Sequence, residues 1–177
     1  EPPQLVDRAV SRERVRRKFG IPDDACLLVY FGRLHSMKRP FETIRSIVGL
    51  ERKDVHLLMV GPDGDVTQEE CMKFAAESGF SRLHLAGPIY GNEKFDHLVA
   101  ADGYISLSYR ENFNHCAAEC LSVGVPVLLS EGNDLGGLIQ SMGAGFWMRG
   151  GEAENKSILN RFTQMNDMKN NRNGIRS

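Results

Sequence analysis

The chain has 177 residues, enough for one domain with a sizeable core. Its 22 basic and 23 acidic side chains nearly balance, which excludes the basic footprint of a nucleic-acid binder and a polybasic membrane patch. No apolar run is long enough to span a bilayer, no secretory leader opens the chain, and it begins at Glu1 rather than at methionine, so a piece of a longer protein is expected.

Residues 1–10 carry no strong pattern. Ser11 is predicted to cap a short basic helix through Phe19, ended by Gly20-Ile21-Pro22. Cys26 to Phe31 is a nearly continuous apolar run closing on Gly32, the pattern of a strand buried on both faces. The loop Arg33 to Arg39 follows, and Pro40 suits the first turn of a helix from Phe41 to about Leu50. The unit then repeats. His56 to Val60 reads as a strand ending at Gly61, and Thr67 to Ser78 as a helix. Leu83 to Gly87 reads as a shorter strand, Pro88 to Gly91 as a loop, and Asn92 to about Ala101 as a helix. Tyr104 to Ser108 is a fourth strand, Phe113 to Val123 a helix, and Pro126 to Leu129 a fifth strand. Asp134 to Ser141 makes a short helix, Gly145 to Met148 a sixth strand, and Glu152 to about Met168 a terminal helix fading into a polar tail.

Strands alternating with helices imply a three-layer α/β fold, a Rossmann-like doubly wound parallel sheet of about six strands with helices on both faces. The order 3-2-1-4-5-6 puts a ligand at the carboxyl ends of the strands where that order reverses, between the first and fourth. This makes the basic loop Gly32 to Lys38 a neighbour of the loop Ser108 to Phe113. The latter opens a stretch with two glutamates, Glu111 before the helix and Glu119 about two turns into it. The unpaired amides of the helix start lie between them and attract anions. Two acids around such a start suit a ligand with both phosphates and hydroxyls, such as a nucleotide sugar. The first strand ends in Gly32-Arg33 rather than a glycine-rich turn, and Gly61 and Gly64 do not complete a Gly-x-Gly-x-x-Gly fingerprint, so a simple nicotinamide-binding domain is disfavoured. Pro62-Asp63-Gly64-Asp65 lacks the later ligands of a calcium loop and reads as a turn.

Cys26, Cys71, Cys116 and Cys120 form no Cys-x-x-Cys pair and suit a reduced compartment. Cys116 and Cys120 share a helix face beside His115, but no second ligand pair has metal spacing, so they read as helix packing and no metal is expected. His56 and His84 lie in strands and read as structural.

These residues together resemble the C-terminal, donor-binding domain of the retaining GT-B glycosyltransferases, the group that includes glycogen synthase. Phe31-Gly32-Arg33-Leu34 with Lys38 matches the family's Gly-Arg-Leu…Lys loop. Glu111 to Glu119 matches its Glu-x7-Glu motif with Phe113 in place, and Gly124-Val125-Pro126-Val127 and Asp134-Leu135-Gly136-Gly137 match the turns that follow. The likeness runs from about Arg12 to Trp147. Asn112, Asn114 and Arg39 stand where glycines are common, so the two asparagine side chains are expected to reshape the sugar pocket.

The resemblance implies an enzyme that moves a sugar from a nucleoside diphosphate donor to a glycan, lipid or other acceptor, with retention and without a metal or other cofactor. Residues 1–177 would be the single donor-binding domain, one half of a GT-B fold, with the N-terminal acceptor domain outside this chain. Glu111, Arg33 and Lys38 would be catalytic. Gly32, Asn112, Phe113, Asn114, His115 and Glu119 would bind donor, Glu119 through the ribose hydroxyls, while Gly61, Pro88 and Ile89 would border the base. The fragment alone is expected to bind donor and transfer poorly. A cytoplasmic location is implied, with any contact to the inner face of a membrane left to the missing half, and no nucleic-acid partner. Two other functions stay open at this point: a nucleotide-sugar-binding module without transferase activity, and a GT-B-type sugar-nucleotide epimerase.

Overall fold

A computed structural model describes residues 7–50 and 52–174, with side chains described as far as Met168. Its elements are α1 (Arg8–Phe19), β1 (Cys26–Phe31), α2 (Pro40–Val48), β2 (Val55–Val60), α3 (Gln68–Glu77), β3 (Leu83–Leu85), α4 (Asn92–Ala100), β4 (Gly103–Ser106), α5 (His115–Ser122), β5 (Val127–Ser130), α6 (Gly136–Ser141), β6 (Gly145–Met148) and α7 (Glu152–Gly174). The strands form one sheet in the order β3-β2-β1-β4-β5-β6, all parallel.

Strand alternation sorts the core into two layers. Leu28 and Tyr30 of β1 and Leu57 and Met59 of β2 face a layer closed by Ile44 and Ile47 of α2, Cys71 of α3, and Leu159 and Phe162 of α7. Leu27 and Val29, with Leu58 and Val60, face the opposite layer, closed by Val15 of α1, Leu98 of α4, Ala117 and Cys120 of α5, and Ile139 of α6. Burial on both faces is why β1 and β2 read as continuous apolar runs rather than alternating ones. Among the described residues no helix is long and apolar enough to cross a membrane.

Several boundaries differ from the sequence expectation, each for a local reason. Asp7, not Ser11, caps α1, its carboxylate accepting from the amides of Ala9 and Val10. Ser11 is buried inside the helix and its hydroxyl donates to Asp96 of α4 at 2.7 Å. β3 stops at Leu85 because Gly87 takes a left-handed φ of 64° that turns the chain away, although Gly61 N–H still reaches the Gly87 carbonyl at 2.8 Å. α7 continues to Gly174, since its polar end holds neither proline nor an early glycine to stop it.

Asp102, between α4 and β4, is the main polar tie across the sheet's amino-terminal side. It is 8% exposed and accepts from Arg12, from Arg16 at 2.9 Å and from the Leu27 amide at 2.8 Å. Arg16 is 1% exposed and also donates to the carbonyls of Pro22 and Ala25. The cluster fastens α1 to β1 and β4. Removing one partner of such a pair strands the other's charge. Asp102→Ala is therefore expected to lower unfolding free energy by about 3–5 kcal/mol in urea titrations at neutral pH.

His56 and His84 stack across β2 and β3, with rings 6° from parallel and His56 Nδ1 2.9 Å from His84 Nε2. Burial, with the neighbouring His84, Arg82 and Arg16, pulls His56 down to about 4, and burial lowers His84 as well. A histidine held below its unfolded value keeps its stabilising effect above about pH 6.5, and loses it as the pH falls toward 4, because the unfolded chain then binds more protons. Stability should fall by up to about 3 kcal/mol across that window. His56→Leu should flatten the slope in urea midpoints measured from pH 7 to 4.

Candidate active site

The site forms where strand order reverses. β1 leads away into the loop Gly32–Arg39 and α2, while its neighbour β4 leads into the loop 107–114 and α5 on the opposite face. A crevice results at the carboxyl ends of the two strands. The loops touch directly. Tyr109 N–H donates to the Met37 carbonyl at 2.9 Å, and Lys38 is ion-paired with Glu111, at 33% and 18% side-chain exposure. Of the expected catalytic residues, Lys38 and Glu111 are thus brought together across 73 residues of sequence.

Each loop is held rigidly. His35 Nδ1 accepts from the Met37 amide at 3.1 Å and caps a short 3-10 turn through Ser36–Lys38, while Asp65 accepts from the amide and hydroxyl of Ser36. Arg39 ends the turn at φ 54°, ψ 57°, the left-handed region where glycine is at ease. Its guanidinium lies 4.4 Å from the centre of the Tyr109 ring, a cation–π contact that offsets part of the strain and adds a second link between the loops.

The Glu111 loop rests on the loop after β5. Glu111 N–H donates to the Gly132 carbonyl at 2.8 Å, and Asp134 N–H donates to the Glu111 carbonyl at 3.1 Å. Beneath runs a buried polar network. Tyr104 donates to Asn114 Oδ1 at 3.1 Å, Asn114 Nδ2 to Asn133 Oδ1 at 2.9 Å, Asn133 Nδ2 to Ser130 Oγ at 3.0 Å, and Ser130 to the Ser108 carbonyl at 2.7 Å. Asn114 Oδ1 also accepts from the Ala117 amide at 3.0 Å, so Asn114 caps α5 and the helix starts at His115 rather than Phe113. This corrects one expectation: the Asn114 side chain, 4% exposed, faces the interior and not a sugar pocket. Any contact it makes with a ligand is through its backbone. Asn112 is exposed, and Phe113, 49% exposed, meets His115 edge-on at 4.8 Å.

On the far side of Gly32 lies a cleft of about 610 Å³. Gly32, Arg33, Gly61, Pro88, Ile89 and Glu119 line it, six of the sequence-derived candidates, drawn from three successive β–α connections and from helix α5. Its mouth exists because β1 and β2 end in close contact: a Cβ on Gly61 would lie 1.9 Å from the Gly32 carbonyl oxygen. One pairing in it escaped the sequence reading. Lys94 of α4 ion-pairs with Glu119 of α5, and Cys116 lies beside them. No periodicity or motif couples α4 to α5, so only the fold could reveal this pair. Asn133 was missed too; its place at the head of the Asp134-Leu135-Gly136-Gly137 turn was the available signal. Among the described residues no three His, Cys, Asp or Glu side chains gather as a metal site.

Comparison with known proteins decides the family. The profile of "Glycosyl transferases group 1" matches residues 11–173. The chain belongs to this glycosyltransferase family. A D-inositol 3-phosphate glycosyltransferase of Streptomyces scabiei is 28% identical over 171 residues, covering 90% of this chain and 38% of the relative. The chain thus spans little more than a third of that relative's length. Among solved structures, Anabaena HepE in complex with UDP and glucose superposes with a TM-score of 0.72 at 19% identity, over 89% of this chain and 44% of that one. The C-terminal domain of the group 1 glycosyltransferase LpcC from Francisella tularensis does so with a TM-score of 0.73 at 19% identity, over 90% and 88%. The fold is the Rossmann-like α/β fold of GT-B glycosyltransferases.

The Gly32–Gly61 contact makes a sharp prediction. Gly61→Ala must push the Gly32 peptide aside, and such overpacking against backbone is expected to cost at least about 2 kcal/mol in chemical unfolding. It should also distort the cleft mouth, visible as amide shifts from Phe31 to Leu34 in NMR spectra.

Proposed function

We propose that this domain is the donor-binding and catalytic half of a retaining glycosyltransferase that uses a nucleoside diphosphate sugar and needs no metal. The observation that carries the reading is the Lys38–Glu111 pair at the strand-order reversal, beside a cleft that ends at Glu119. The cleft and the pair together suit a ligand with a base and ribose at one end, a diphosphate in the middle and a sugar at the other.

The nucleobase would lie against Ile89 and Pro88, and the ribose hydroxyls would donate to Glu119, since a carboxylate only accepts. The diphosphate would face Arg33, Lys38 and the amides at the start of α5. Arg33 offers a planar fork and Lys38 a mobile point charge, and together they would stabilise the leaving phosphate's growing charge as a preorganised field. A diphosphate would compete with Glu111 for Lys38. Once released, the Glu111 carboxylate would contact the transferred sugar and stabilise positive charge near its anomeric carbon. The buried network from Tyr104 to Ser130 holds this loop still, which suits a group that must act in one geometry. The paired Lys38 and Glu111 favour transfer over mere binding. The acceptor would be supplied by a second domain, consistent with the partial coverage of the relatives, and its chemistry is left open.

Calorimetric titration with UDP, GDP and ADP tests this reading. One of them should bind, and Glu119→Ala should weaken it by about 1–3 kcal/mol, the worth of a lost charged hydrogen-bond partner. Absence of binding by all three at millimolar concentration would contradict the assignment.

A further inference from the structure

The cleft holds one cation that the assignment above does not use. Lys94, in the first turn of α4, reaches across to Glu119 of α5, and the two side chains are 21% and 31% exposed. Its ammonium lies 5.5 Å from the centre of the Phe31 ring and beside Cys116, which lines the same cleft. Burial pulls the ammonium down, but the pairing with Glu119 with the help of Cys116 more than restores it, so Lys94 stands above the ordinary lysine value and is charged at neutral pH. The lysine is therefore flanked by a ring, a thiol and a carboxylate.

The geometry is informative about Glu119. A glutamate on an open helix face samples several rotamers and loses that freedom on binding. Here one oxygen, Oε2, is buried against the Lys94 ammonium as an ion pair without a well-aligned hydrogen bond, so charge rather than hydrogen-bond geometry holds it. The carboxylate has about four acceptor positions, so Oε1 and the remaining lone pairs are left for donors in the cleft. Were Lys94 itself to leave for a phosphate or a base, a partly buried carboxylate would lose its partner, which is costly.

We propose that Lys94 is a positioning residue that holds Glu119 in the one rotamer able to accept from a vicinal pair of hydroxyls, and so sets the cleft's preference for ribose over deoxyribose. This rests on the cleft being the nucleotide site. Lys94 then acts through Glu119 and contributes less when the 2′-hydroxyl is missing, because only the 3′-hydroxyl is left to donate.

The test compares each nucleoside diphosphate with its 2′-deoxy form by calorimetry: UDP with dUDP, GDP with dGDP, ADP with dADP. The proteins are wild type, Lys94→Met, Lys94→Arg, Glu119→Gln and the Lys94→Met/Glu119→Gln double variant, each checked for folding by its thermal melt. Lys94→Gln replaces Lys94→Met if that variant fails to fold. Wild type should prefer the ribose form by roughly tenfold, as for one charged hydrogen bond. Lys94→Met should cut that preference to about threefold or less by weakening the ribose form more than the deoxy form, and Lys94→Arg should restore most of it. Adding Lys94→Met to Glu119→Gln should change nothing further, since both act on one contact. Equal weakening of both forms would overturn the inference, because the lysine would then touch base or phosphate directly. An unchanged preference would overturn it as well while leaving the nucleotide site intact. Failure of wild type to bind any of the six would instead remove the nucleotide site, and this inference with it.

Discussion

One main-chain hydrogen bond, from Tyr109 to the Met37 carbonyl, bridges the point where the sheet reverses its strand order. Two β–α connections that leave in opposite directions are obliged by topology to open a crevice. Nothing in that topology fixes how far they splay. The Tyr109–Met37 bond, the Arg39–Tyr109 stack and the Lys38–Glu111 pair fix it, and all three join the same two loops. Acid and base are thereby set before any ligand arrives. The strained φ of Arg39 is part of the same arrangement, because the side chain that glycine would lack is the one that stacks on Tyr109.

Support for these loops comes from the layers beneath. The buried chain of Tyr104, Asn114, Asn133 and Ser130 satisfies polar groups that would otherwise be costly, and it links the end of β4, the cap of α5 and the turn after β5. A network of this kind has few alternative arrangements. On the other side of the crevice, the Gly32–Gly61 contact leaves no room for a side chain between β1 and β2. At that point the cleft is bounded by backbone, which cannot change rotamer.

Much of this was legible in the residues. The apolar runs of β1 and β2 announced strands buried on two faces, and the βα alternation implied the strand order, from which the nearness of Lys38 and Glu111 followed. What escaped was the local competition that sets boundaries and the pairing of remote side chains. Asn114 resembles a pocket residue when read along the chain, but a short amide side chain before a helix more readily caps it, and here Asn133 was waiting on its other side. Ser11 looked like a cap and became a buried donor to Asp96 because Asp7 was available upstream. Lys94 carries no signal along the chain. Its meaning comes only from the packing of α4 beside α5, where Glu119 lies within reach.

The sheet ends in very short strands, three residues in β3 and four in β6. An open parallel sheet exposes a row of unpaired amides and carbonyls at each rim, and a long flat rim invites a second molecule to add its own strand. Here the left-handed turn at Gly87 bends the chain off β3 almost as soon as it forms. With so little template on either side, the domain is protected from edge-to-edge aggregation by its own geometry.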